Sequence, residues 1–280
     1  MASRIAGFNL FAMSNLEPTF FIKLASSFFV GAIWITSITV IAERFGSKIG
    51  GFIGGLPSTI VIALLFIGIS QSKEAASQAA IMIPLVMGIN GVFILIYLKQ
   101  VHKGLVRALA TGLLFWFVAN GVIVIMEFDD FLSSILGWLI LLGSSYYITE
   151  HYMVIPSKGG IRVPYTIPQI LTRGLISGFI ISLAVLVSRL SGPIIGGILS
   201  TFPVIFMSTL FITHRTGGPE FSRAVAKILM LSSMINVGLY AITSHYAYQY
   251  FTLAQGTFLT ITVSAFAAFG TLKLIRSLTR

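Results

Sequence analysis

Apolar positions fill nine long runs, near 19–42, 49–71, 76–98, 104–126, 131–153, 170–188, 193–213, 222–244 and 252–274, and the short stretches between them carry most of the charge. A helix needs roughly 20 apolar residues to cross a bilayer, so the pattern predicts nine transmembrane helices. Runs two and seven are Gly-rich at the start and carry an internal proline, which also suits re-entrant segments. The cations decide between these arrangements. With nine crossings, Arg44, Lys48, Lys99, Lys103, Arg107, Lys158, Arg162, Arg173, Arg215, Arg223, Lys227, Lys273, Arg276 and Arg280 share one side, and only Arg4, Lys23, Lys73 and Arg189 take the other, 14 against 4. With two re-entrant segments the split is about 10 against 8, and the positive-inside bias vanishes. The expected protein is therefore an all-α polytopic protein of the cell (plasma or inner) membrane. Its C-terminus is cytoplasmic. Its N-terminus, the acidic Glu127–Asp130 loop and the aromatic Tyr246–Tyr250 belt lie outside.

Composition narrows the function. Of the 280 residues 56% are hydrophobic and 9% charged, and mean hydropathy is +0.96, whereas soluble domains carry about 25% charged residues. The net charge of +10 would suggest nucleic acid in a soluble protein, but the positive-inside rule accounts for it here, so no nucleic-acid partner is expected. The absence of cysteine excludes disulfides and thiolate metal sites, and the four histidines, His102, His151, His214 and His245, are scattered. No cofactor is implied. Residues 1–18 lack the apolar core and cleavage site of a signal peptide and are expected to be a short tail or interfacial segment.

The chain also resembles itself. Gly46-Ser47-Lys48-Ile49-Gly50-Gly51-Phe52-Ile53-Gly54-Gly55-Leu56-Pro57 aligns with Gly192-Pro193-Ile194-Ile195-Gly196-Gly197-Ile198-Leu199-Ser200-Thr201-Phe202-Pro203 at an offset of 146. The same offset joins Glu74 to Glu220, Ile89-Asn90 to Ile235-Asn236 and Thr111 to Thr257. Upstream, Pro18 and Lys23 match Pro168 and Arg173 at an offset of 150. Residues 19–126 then form a first four-helix repeat and 170–280 a second, joined by a linker, 127–169, that holds the fifth helix. Four plus one is odd, so the second copy enters from the opposite side. Inverted repeats are a recurring architecture of secondary transporters, whose sites lie near the midplane between the copies.

From Gly192 to Phe202-Pro203, then His214 and the Arg223-bearing start of the next run, the second copy resembles the core of the small four-span GlpM-like membrane proteins. Ile22-Lys23 resembles that family's opening helix. In the first copy Phe-Pro becomes Leu56-Pro57 and the His position is Gly68. The resemblance covers each copy without the linker and implies a fused pair of such units. It names no substrate.

The candidate site lies at the two interruptions. Pro57 sits about 12 Å into its run at 1.5 Å per residue, close to the bilayer centre. Proline removes a backbone donor, and Gly54-Gly55 eases unwinding, so Ser58-Thr59 can start a second half-helix with its positive dipole end facing inward. Ser200, Thr201 and Pro203 repeat the arrangement, with Thr201 as an N-cap candidate. The alternative role for Gly50, Gly51, Gly54, Gly55, Gly196 and Gly197 is close helix packing. Asn90 and Asn236 hold equivalent places; each either binds solute or bonds an unwound carbonyl beside it. Glu74 and Glu220 suit first-turn positions. Lys23 and Arg173 either snorkel or line vestibules that draw in anions.

The absence of Asp and Glu from the centre of every run argues against a buried proton relay and against intramembrane enzymes that need paired acids or Mg²⁺. No enzyme is expected. The expectation is a secondary carrier or facilitator for a small solute or anion, the polarity of the site favouring negative groups. A channel of the same symmetry, a lipid flippase and a non-transporting scaffold are the alternatives, membrane lipids are expected partners, and a homo-oligomer is open. Single cysteines placed by Lys103→Cys and Asp129→Cys test the topology against a silent background: an impermeant thiol reagent added from outside is expected to label position 129 and not 103, and the reverse pattern overturns the inversion.

Overall fold

Most helices of this chain begin where a proline or a capping side chain meets an apolar run, and the computed structural model describes residues 17–44, 56–155 and 165–278. Helix α1, Pro18–Arg44, starts on a proline. Helix α2, Ser58–Ser70, starts directly after Pro57. Helix α3, Lys73–Ala79, is capped by Ser72, whose hydroxyl accepts the Ala75 amide at 3.2 Å. Glu74 lies in its first turn. Helix α4, Ile83–Gln100, has Pro84 in its first turn, and α5 is Leu105–Ile125.

Helix α6, Phe131–Tyr147, is capped by Asp130, which accepts the Ser133 amide at 2.7 Å and is held below the usual carboxylate range by its hydrogen bonds from Ser133. Helix α7, Ile167–Ser191, begins where the Gln169 side chain accepts the Thr166 amide at 3.0 Å. Gly192, at φ 104°, then turns the chain into α8, Pro193–Ser200. Helix α9, Val204–Tyr250, starts after Pro203 and bends at Gly218, whose φ of 76° and following Pro219 divide it into arms 204–217 and 219–250. Helix α10, Leu253–Leu278, completes the fold.

Every element among the described residues is helical, and seven helical runs there are long and apolar enough to cross a membrane. The expected nine differ from seven for two reasons. The 13 residues of α2 are too short alone, and residues 45–55, the start of that run, lie outside the described residues. The other reason is that Pro193–Tyr250 counts as one run of 58 residues, about 87 Å at 1.5 Å per residue. That is far more than one membrane thickness, and Ile212 packs with Phe221 and Val225 across the Gly218 bend, so the arms fold back on one another.

The helices divide into an inner and an outer set. Helix α2, α4 and the second arm of α9 supply most of the main hydrophobic core. Helices α1, α5, α6 and α10 turn residues such as Ile33, Leu114, Ile140 and Phe266 outward, all more than 60% exposed. Apolar side chains facing outward over whole helices suit a lipid surface. This is a polytopic helical membrane fold.

Two antiparallel crossings hold it together. Helix α1 meets α7 backbone to backbone: a Cβ on Gly31 would lie 2.7 Å from Ile181 Cδ1, and one on Gly178 would lie 2.6 Å from the Phe28 carbonyl oxygen. The second crossing pairs α3–α4 with the second arm of α9. At one end Ser77 Oγ donates to the His245 carbonyl at 2.8 Å, and Lys73 Nζ donates to the Gln249 and Phe251 carbonyls. At the other, Tyr97 and Ser222 share a hydroxyl–hydroxyl bond, and Glu220 lies 3.2 Å from His102. Helix α6 packs over this crossing, with Trp138 Nε1 donating to the Met234 carbonyl at 2.8 Å.

Overpacking a close crossing typically costs about 1–3 kcal/mol. Gly178→Ala is therefore expected to lower stability by that order in thermal unfolding of purified protein, whereas Gly143→Ala, with open space at its Cβ, should change it by less than about 0.5 kcal/mol. Equal effects at the two positions would contradict the packing described.

Candidate functional site

The interruption between α8 and α9 frees backbone groups inside the apolar core, and their partners define the site. Thr201 Oγ1 donates back to the Ile198 carbonyl at 2.6 Å and Ser200 Oγ to the Gly197 carbonyl at 2.6 Å, so both hydroxyls close the end of α8. This corrects the expectation that Thr201 caps the following helix. The residue ahead of α9 is Pro203, whose side chain has no acceptor to offer as a cap, and Thr201 stands two residues further back. The Thr201 carbonyl is reached from elsewhere: Asn90, 1% exposed on α4, donates its Nδ2 to it at 3.0 Å.

A cavity of about 30 Å³ lies beside this bond, lined by Leu56, Thr59, Ile60, Met87, Asn90, Thr201, Phe202, Pro203, Ile205, Phe206, Ser233 and Val237. It has room for about one or two waters. The first intrahelical bond of α2 is Val61 N–H to the Pro57 carbonyl, and that of α9 is Met207 N–H to the Pro203 carbonyl. The amides of 59–60 and 205–206 stand ahead of those bonds, at helix ends that carry about half a positive charge each. Against them stands the Asn90 Oδ1 acceptor, buried without a partner among the described residues. The pocket therefore offers two positive helix ends and one neutral acceptor, and no carboxylate lines it.

Of the residues singled out from sequence, Thr59, Asn90, Thr201 and Pro203 meet at this cavity. Pro57 and Ser58 are buried at the start of α2, next to it in sequence. Asn236 is fully buried on the second arm of α9, between the lining residues Ser233 and Val237, but its amide is bonded sideways: Nδ2 donates to Ser232 Oγ and Oδ1 accepts Thr271 Oγ1, each at 3.1 Å. Gly196 packs on α7, where a Cβ would meet the Ala184 carbonyl at 2.7 Å, and Gly197 packs directly on the Ala79 carbonyl of α3. Neither lines the cavity. Gly50, Gly51, Gly54 and Gly55 lie outside the described residues. Lys23 is half-buried on α1, and Arg173 is 6% exposed on α7, away from the cavity.

Several participants escape sequence reasoning. Leu56, Met87, Phe202 and Ser233 line the cavity, and nothing in their spacing marks them individually. Glu150 and Lys227 form a 2.7 Å ion pair, with Lys227 4% exposed and also donating to the Ile155 carbonyl. Glu220 bridges His102 and Arg223 on an exposed edge. Four lining pairs are nonetheless separated by a constant 146 residues: Leu56 and Phe202, Thr59 and Ile205, Ile60 and Phe206, Met87 and Ser233. Compared with known protein families, curated proteins and solved structures, the chain matches none.

Removing the Asn90 amide leaves the Thr201 carbonyl buried without its partner, a loss of about 1–3 kcal/mol. Asn120 instead donates to Trp116 within its own helix at 2.8 Å, to a carbonyl that also serves the helix ladder. Asn90→Ala is thus expected to lower the unfolding temperature of purified protein clearly more than Asn120→Ala; the opposite order would remove the bracing role.

Proposed function

We propose that this protein is a membrane carrier for a small, negatively charged solute, built from two inverted four-helix copies and a linker helix, with its site at the cavity between α2 and α9. The observation that carries this reading is the composition of the cavity wall, which four pairs of residues 146 apart share and to which the first turns of both post-proline helices contribute, Thr59 and Ile60 from one and Ile205 and Phe206 from the other. A two-fold relation between copies places equivalent residues together on its axis. The α1–α7 crossing supports the same relation, since Gly31 meets Ile181 and Phe28 meets Gly178, each pair 150 residues apart and on antiparallel helices. Nine crossings follow if residues 45–55 and α2 form one span and the two arms of α9 belong to two.

The chemistry follows from the site. Helix ends with unpaired amides favour negative charge, and a low dielectric strengthens their field. The Asn90 Oδ1 acceptor selects among anions for one that also carries a donor hydrogen. Since the cavity holds about one or two waters, the conformation described is closed, and cargo enters only after the copies rearrange. That favours a carrier over an open channel. The GlpM-like resemblance fits a fused pair of units.

Proteoliposomes holding the full chain and loaded with small oxyanions, halides or alkali cations test the reading. Saturable anion counterflow is expected, lost at least tenfold in Thr59→Leu and Ser233→Leu, which fill the cavity, while circular dichroism and thermal unfolding stay near those of the parent. Undiminished flux in both variants, a steady single-channel current, or movement of cations alone would overturn it.

A further inference from the structure

A second cavity, of about 440 Å³, adjoins the midplane site at Phe202. Its walls are one face of α7, with Pro168, Thr172 and Ile176, and one face of the first arm of α9, with Val204, Met207 and Phe211, each set at spacings of three or four residues. The volume falls in the range of ligand pockets. The α7 wall covers nine residues, 168–176, about 12 Å along the axis, and Phe202 at the interruption also lines the groove. Ile176 and Phe211 are 46% and 43% exposed, and their neighbours Leu171 and Leu175 are more than half exposed, so the groove opens sideways on the apolar outer surface.

One charge lines it. Arg173 is 6% exposed, its Nε has no hydrogen-bond partner, and no carboxylate among the described residues lies within ion-pair distance. Its Nη1 donates to the Tyr165 hydroxyl at 3.3 Å, and the guanidinium lies 5.8 Å from that ring. Arginine does not lose its proton in a protein, so this cation is buried at an apolar groove with no counter-ion among the side chains described. It sits six residues into α7, about 9 Å from the helix start, near the depth where headgroups give way to acyl chains.

We propose that the groove between α7 and the first arm of α9 is a binding site for one anionic phospholipid, its phosphate held by Arg173 and one acyl chain lying along the groove toward Phe202. A phosphate offers a guanidinium the paired oxygens it binds best, and a single chain entering sideways from the membrane covers the apolar walls without a polar group to bury. Phe202 lines both this groove and the midplane cavity and packs edge-on to Trp116, with ring centroids 5.3 Å apart, so the chain ends against the wall of the candidate transport site. The lipid site stands whatever the midplane cavity carries.

Native mass spectrometry of the delipidated full chain tests it, with phosphatidylglycerol, phosphatidylcholine of the same chains and glycerol phosphate as probes. One phosphatidylglycerol per chain is expected, preferred at least tenfold over phosphatidylcholine. Arg173→Gln should abolish the preference, Arg173→Lys should retain part of it, and Ser208→Phe, which fills the groove while leaving the arginine, should weaken lipid binding at least fivefold. In a Trp34→Phe background, phosphatidylglycerol with brominated chains should quench tryptophan fluorescence more than brominated phosphatidylcholine, a difference that Arg173→Gln removes. Equal binding of the two lipids to the parent chain, or undiminished preference in Arg173→Gln, overturns the proposal. Glycerol phosphate binding as tightly as the lipid would make this a free-anion site and overturn it equally. Should Arg173→Gln fail to fold, the Arg173→Lys and Ser208→Phe results decide.

Discussion

Inside a bilayer no water is present to take up a backbone group that a helix releases, so an interrupted helix survives only where the protein supplies the missing partners. The stretch from Thr201 to Pro203 meets that constraint with the chain's own polar atoms. Two hydroxyls fold back on α8, and the Thr201 carbonyl, which neither can reach, takes the amide of Asn90 from α4. Much of the inner packing follows from keeping those two atoms 3.0 Å apart. Helix α8 must lie directly on α3, which only a glycine at 197 permits, and α3 and α4 together must be held in register along the second arm of α9, by Ser77 at one end and Tyr97 at the other.

The same requirement separates inner from outer helices. Polar side chains are spent in the interior, where serines and threonines bond carbonyls one turn back, and where Lys227 finds Glu150. The perimeter helices carry apolar side chains toward the membrane, and their attachment relies on close backbone approach, since apolar side chains gain little from leaving lipid for protein. Helices α1 and α7 illustrate this, with glycines 31, 174 and 178 all at their contact. Arg173 is the exception on this surface: no acid among the described side chains pairs with it, whereas the buried Lys227 meets Glu150.

Phe202 gives the two cavities a common wall. On one side lies a pocket of about 30 Å³ between helix ends, and on the other a groove of about 440 Å³ open to the membrane. The side chain is wedged between Trp116 and Phe117 on α5, with ring centroids 5.3 and 5.9 Å away. In the proposed carrier, any movement of α9 relative to α5 alters this wedge, so lipid in the groove and solute at the midplane would act on the same residue.

The sequence by itself determined the membrane class, the positions of the apolar helices and the helix starts after Pro57 and Pro203, because these depend on local composition and on a donor that proline lacks wherever it stands. Asn90 was also legible as a polar residue that must find a partner inside a span, though not which partner. Tertiary structure decided that the partner is the Thr201 carbonyl, that Gly196 and Gly197 serve packing against α7 and α3, and that Thr201 closes α8 instead of opening α9. It also separated Arg173 from the midplane cavity and set it in a groove with Met207 and Phe211. The physical reason is that a side chain's bonding capacity is written in its chemistry, whereas the atom that uses it depends on how helices more than a hundred residues apart cross, and in an apolar chain many crossings look alike until the backbone geometry selects one.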